Sequence, residues 1–126
     1  MTLAYWCIFI AALLPYATIG FAKFKPGYNN RSPREWEAAL EGWRKRAVHA
    51  HVNHFEAFAP FAAGVIVAHL ARAPQGAIDA IAVAFVIARV AYTGAYLAGK
   101  PALRSSIWLV GLGCVIALFA VAAAGR

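Results

Sequence analysis

Two sets of polar residues interrupt apolar segments at spacings that could build a binding or catalytic site. The first is Arg46, His49, Asn53 and Glu56, ending at Pro60, and the second is Arg89, Tyr92 and Tyr96, followed by Arg104 and Ser105. A carboxylate or guanidinium inside a hydrophobic segment is costly unless it pairs, is solvated by its neighbours, or binds something. At 100° per residue, His49, Asn53, Glu56 and Pro60 fall within about a 60° sector of a helix, with Arg46 at its edge. Arg89, Tyr92, Thr93 and Tyr96 share one face in the same way. Two helix faces with this content suit a charged ligand carrying several polar groups.

The elements that must position these residues follow from composition. The chain has 126 residues, 63% hydrophobic and 13% charged, whereas charged residues make up about a quarter of an average soluble domain. Apolar stretches at 3–22, 46–72, 76–98 and 105–124 each approach or reach the roughly 20 residues a helix needs to cross hydrocarbon. Backbone groups in lipid must be satisfied internally, so the spans are expected to be helices. Short turns at 73–76 and 99–104 connect antiparallel neighbours, as in an up-down-up-down arrangement. The expected fold is therefore an all-α integral membrane protein, one domain over 1–126 forming an antiparallel four-helix transmembrane bundle.

Other features fit around that frame. The first loop, 23–45, is the only sizeable extramembrane piece; it opens turn-rich and continues as a short amphipathic helix over 34–43. Ser32 is its candidate N-cap, with Pro33 at the first helical position. Pro15 is expected to kink the first span, and Gly111 and Gly113 to permit close helix approach in the fourth. The first span lacks a basic leading region and a cleavage site, so it reads as a retained helix rather than a secretion signal.

The net charge is +7, but its placement argues topology rather than nucleic-acid binding. Lys23, Lys25, Arg31, Arg34, Arg44, Lys45 and Arg46 lie in or beside the first loop, and Lys100 and Arg104 in the third; only Arg72 and Arg126 lie on the other side. The positive-inside rule then places loops one and three in the cytoplasm and both termini opposite. Membrane lipids, anionic ones included, are the partners this distribution implies. Cys7 and Cys114 lie inside spans and form no metal motif. His51 and His54 are assigned to a different face from the polar stripe, His69 to the far end of its span, and no zinc motif is present. Asp79 reads as an interfacial residue and Arg72 as a snorkelling anchor.

Depth brings the two stripes together. Glu56 lies ten residues beyond Arg46, and Arg89 eleven before Lys100. At 1.5 Å per residue both sit roughly 15 Å from the same boundary. Asn53 then pairs in depth with Tyr92, and His49 with Tyr96. The bland reading is a Glu56–Arg89 ion pair that locks two helices. The number of polar groups exceeds what two helices need, which favours a pocket open to the cytoplasm.

The segment 46–61 together with 89–96 and the Arg104-Ser105 pair resembles the MAPEG family, the membrane-associated proteins in eicosanoid and glutathione metabolism. The shared pattern is Asn53-x-x-Glu56 near Pro60, Arg89 with Tyr92 and Tyr96, and Arg104-Ser105 before the last span. The resemblance covers essentially the whole chain and is of the bacterial type, which implies a bacterial inner-membrane location. It implies a homotrimer with glutathione between subunits: Asn53, Glu56, Arg89, Tyr92, Tyr96 and His49 around the tripeptide, Arg104 and Ser105 near its thiol. A cation beside sulfur stabilises the nucleophilic thiolate, and a lipid-side cleft would deliver a hydrophobic small-molecule substrate. The implied activity is a glutathione-dependent transferase or peroxidase. The chain departs from the pattern at Val52, where arginine is common, and at His49, where a second arginine often stands. A non-catalytic lipid-binding or scaffold protein of the same fold is the alternative. A small proton-coupled exporter fits the length, but such proteins carry an essential carboxylate in the first helix, which here has no charge until Lys23.

Overall fold

The computed structural model describes residues 1–125, which form five α-helices: α1 (Leu3–Lys23), α2 (Pro33–Ala38), α3 (Gly42–Leu70), α4 (Gln75–Leu97) and α5 (Pro101–Ala124). Three of them, α1, α4 and α5, are long and apolar enough to cross a membrane. The protein is an integral membrane protein. Helix α3 is the longest, at 29 residues, but Arg44, Lys45, Arg46 and Glu56 lower its hydropathy.

Local chemistry sets the boundaries, and several differ from those expected. Thr2 caps α1, its hydroxyl accepting from the Tyr5 amide at 3.3 Å. Helix α3 begins at Gly42 rather than near 46, because Trp43, Arg44 and Lys45 continue the helix out of the apolar stretch. Helix α5 begins at Pro101 rather than near 105, with proline in its favoured first-turn position. Arg104 and Ser105 therefore stand on a helix and not in a loop. The amphipathic segment expected over 34–43 is divided: α2 stops at Ala38, and Trp43 belongs to α3. Ser32 occupies the N-cap position of α2 with Pro33 next to it, but its hydroxyl makes no capping bond.

The four long helices pack side by side, with α1 on α3 and α4, and α5 on α4 and α3. The main core fills the half of the molecule away from the first loop. Phe61 and Phe85 stack there with centroids 3.9 Å apart and an angle of 7° between planes, among Val65, Ile78 and Leu118. Gly64 lets α3 and α5 meet closely, since a Cβ there would lie 3.1 Å from Leu118 Cβ. At that end Asp79 is more than interfacial: its Oδ1 accepts from the Ala4 amide and from Gln75 Nε2, both at 2.9 Å. His69 stacks on Tyr5 and bonds Thr2, so the same end of α3 is tied to α1. A smaller cluster of Ile19, Ala22, Leu40 and Ala47 lies beneath the first loop. Between the two apolar clusters the helices carry their polar residues.

Candidate functional site

The centre of the site is the guanidinium of Arg89, only 3% exposed on α4. Consecutive residues on α3 grip it. Asn53 Oδ1 accepts from Arg89 Nη2 at 2.9 Å, and His54 Nδ1 accepts from Nε at 3.3 Å and Nη2 at 3.1 Å. His54 is equally buried, and its Nε2 lies 2.8 Å from Thr93 Oγ1. The Thr93 hydroxyl donates to the Arg89 carbonyl at 3.0 Å. Its oxygen therefore accepts from His54 Nε2–H, which leaves Nδ1 as the lone pair facing Arg89. The directions close a ring: Arg89 to His54, His54 to Thr93, Thr93 back to the Arg89 backbone.

This corrects two expectations. His54 does not stand apart from the site on another helix face; it lies at the site's core. Nor do Glu56 and Arg89 form a direct ion pair. Asn53 stands between them, giving its amide Nδ2 to Glu56 Oε2 at 3.1 Å while its oxygen holds Arg89. Among the described residues the only ion pair is Lys23–Glu37, at 3.3 Å. His51, by contrast, does face elsewhere: its Nδ1 donates to the Pro15 carbonyl of α1 at 2.7 Å.

Toward the first loop the second stripe continues as a stack. Arg89 lies 4.2 Å over the Tyr92 ring, Tyr92 meets Tyr96 edge-on at 5.6 Å, and Arg104 lies 4.6 Å over Tyr96. His49 approaches Tyr96 at 6.3 Å between centroids, at the depth the spacing predicts. Each cation thus has an aromatic face as its seat, an attraction that helps hold it in place without a carboxylate partner.

Two adjoining clefts open along these walls. One, of about 240 Å³, is lined by Asn53, Tyr92, Tyr96, Arg104, Ser105 and Trp108. The other, of about 150 Å³, is bounded by Asn53, Glu56, Pro60 and Arg89 on one side and by Phe85, Trp108 and the α5 face at Leu112 on the other. Asn53 and Trp108 border both. The paired clefts set polar groups beside an apolar wall. That combination can hold a polar nucleophile next to a greasy reaction partner. Of the two polar stripes, Arg46 and His49 line neither. No three His, Cys, Asp or Glu side chains converge as a metal site among the described residues.

The MAPEG family model matches residues 3–124. The chain belongs to the MAPEG family. No curated protein and no solved structure matches it. Membership of the MAPEG family points to a membrane protein with a glutathione-related transferase or allied function. Within the MAPEG pattern the structure adds residues that sequence reasoning missed. His54 carried a usable signal, for it continues the buried stripe Ala47, Ala50, His54, Phe61, Val65, Ala68 of α3. A polar side chain on such a stripe requires partners. Trp108 carried none, because an indole in a span reads as lipid-facing.

Proposed function

We propose that the protein binds glutathione in the clefts between α3, α4 and α5 and directs its thiol onto hydrophobic electrophiles from the bilayer. The observation that carries this is the fixed Arg89–Asn53–Glu56 row. A guanidinium locked by two acceptors stands beside a carboxylate that forms no ion pair among the described residues, in one cleft. Such a row recognises a ligand bearing both an ammonium and a carboxylate, as the glutamyl end of glutathione does. Glu56 meets the ammonium, Asn53 the peptide groups, and Arg89, Tyr92 and Tyr96 line the remainder, with His49 at the flank. Arg104, seated on Tyr96, and the Ser105 hydroxyl stand near the sulfur. Glutathione supplies the nucleophilic sulfur for conjugation or peroxide reduction. Arg104 contributes a positive charge that favours thiolate, and Trp108 with Phe85 contributes the apolar wall against which an electrophile rests.

The reading extends to the assembly. All four long helices span the membrane in a single domain; α3 at 1.5 Å per residue is about 43 Å long, more than the roughly 30 Å of hydrocarbon. The basic first and third loops face the cytoplasm of a bacterial inner membrane, with the termini opposite. Glu56, Ser105 and Trp108 are exposed on the flank of one subunit. A carboxylate turned to lipid at that depth is costly, which supports a homotrimer in which a neighbour covers it.

The test is spectroscopic. Protein in detergent is mixed with glutathione at neutral pH and thiolate absorbance is recorded, together with conjugation of a generic aryl halide. The expected result is a thiolate signal in the parent and its loss in Arg104→Ala. Unchanged absorbance and no conjugation in the parent would favour the non-catalytic lipid-binding alternative.

A further inference from the structure

A larger hollow, of about 650 Å³, opens where the end of α1 meets the start of α3, walled by Ala17, Gly20, Phe21, Phe24, Trp43 and Arg44. Its size falls within the roughly 300–1,000 Å³ of small-molecule sites. The three aromatic rings are exposed, Phe24 at 90%. Helix α1 is apolar enough to cross the membrane and ends at Lys23. The rings therefore stand where the span meets the basic first loop, a depth that favours amphipathic and aromatic groups. Helix α1 lines neither of the clefts that hold Asn53, so the hollow is a separate feature.

One cation at its rim is incompletely satisfied. Arg44 lies 4.3 Å over the Trp43 ring, which seats its guanidinium at the edge. Its Nε is buried and has no hydrogen-bond partner among the described residues, and Arg44 forms no ion pair among them. A buried N–H without an acceptor is costly, and a guanidinium takes phosphate oxygens through charge-assisted bonds. A smaller hollow lined by Lys23, Lys25 and Pro26 shares Phe24 with the first. Lys23 is held by Glu37 at 3.3 Å, whereas Lys25 is exposed and forms no ion pair among the described residues. Apolar wall and cations thus follow one another along α1, Ala17 and Gly20 first, then the rings, then Lys25. A phospholipid presents its acyl chain and its phosphate in the same order. A second copy lying the same way up would bring its own basic loop to this rim, in a chain of net charge +7. Charge complementarity therefore selects an anion from the bilayer.

We propose that this hollow binds one anionic phospholipid, its phosphate at Arg44 and Lys25 and one acyl chain along Ala17, Gly20 and Phe21. The assignment does not depend on the glutathione reading. Native mass spectrometry of the full chain from an uncharged detergent tests it, with phosphatidylglycerol and phosphatidylcholine of equal chain length titrated separately. The parent is expected to retain phosphatidylglycerol about tenfold more tightly, the effect of one charge-assisted contact. Arg44→Gln is expected to remove that preference. Gly20→Leu fills the hollow without a clash, since an added Cβ there meets nothing within 4 Å. It is expected to weaken both lipids about tenfold or more, as loss of two buried methylenes would. Arg34→Gln, which removes an exposed charge outside the hollow, is expected to keep the preference. Equal retention of the two lipids by the parent overturns the site, as does a preference that Arg34→Gln lowers as much as Arg44→Gln. Glycerol phosphate that displaces the lipid at equal concentration shows a site for free anions and overturns the lipid assignment. A Gly20→Leu protein that loses its oligomeric state but keeps its lipid gives the hollow to a neighbouring subunit, and overturns it too.

Discussion

His54 accepts two donors from Arg89 and gives its own proton to Thr93, and both His54 and Arg89 are only 3% exposed. The side chain is therefore a positioning group whose replacement is felt at Arg89. In His54→Asn the amide oxygen stands close to the place of Nδ1 and retains an acceptor for the guanidinium. His54→Leu removes it and leaves buried donors unmet, a loss of about 1–3 kcal/mol. Denaturant unfolding in detergent is expected to show that loss for the leucine variant and a smaller one for asparagine. Equal stability of the leucine variant and the parent would contradict the ring. The charged and aromatic members of the site were legible in the sequence, because Glu56 and Arg89 inside apolar segments demand an explanation. The order of their contacts was not. Helical phase places Asn53 and His54 on separate faces, and only the packed helices show that the guanidinium lies between them.

Helix boundaries and close approaches follow from different physics than the site. Helical periodicity and span length located all four long helices, but the starts of α3 and α5 were placed about four residues late. Hydropathy marks the edge of the apolar stretch, whereas the helix itself continues through Trp43 and Lys45, or starts at Pro101. Small residues were legible only as candidates. Gly111 faces Phe85 at 3.9 Å from an added Cβ, Gly113 meets nothing within 4 Å, and the glycine at a close α3–α5 approach is Gly64, 3.1 Å from Leu118 Cβ. Gly64→Val is expected to destabilise by about 1–3 kcal/mol through overpacking against Leu118. Gly113→Ala is expected to change stability by less than about 0.5 kcal/mol. Parallel unfolding curves of the two variants check both, and a neutral Gly64→Val would contradict the assigned contact.

For the whole molecule, composition and charge placement made the membrane character legible, while assembly was not, because an apolar helix face reads alike whether lipid or a second subunit covers it. The flank bearing Glu56, Ser105 and Trp108 argues for coverage. Native mass spectrometry from detergent is expected to give a trimer, and a monomer at all concentrations would contradict that assembly. The central claim is that the facing walls of α3 and α4 bind glutathione. Isothermal titration of the parent and of Glu56→Gln with glutathione tests it most directly. The account predicts saturable binding by the parent, weakened about tenfold or more when the charge at Glu56 is removed. No saturable binding by the parent, or equal binding by both proteins, would contradict it.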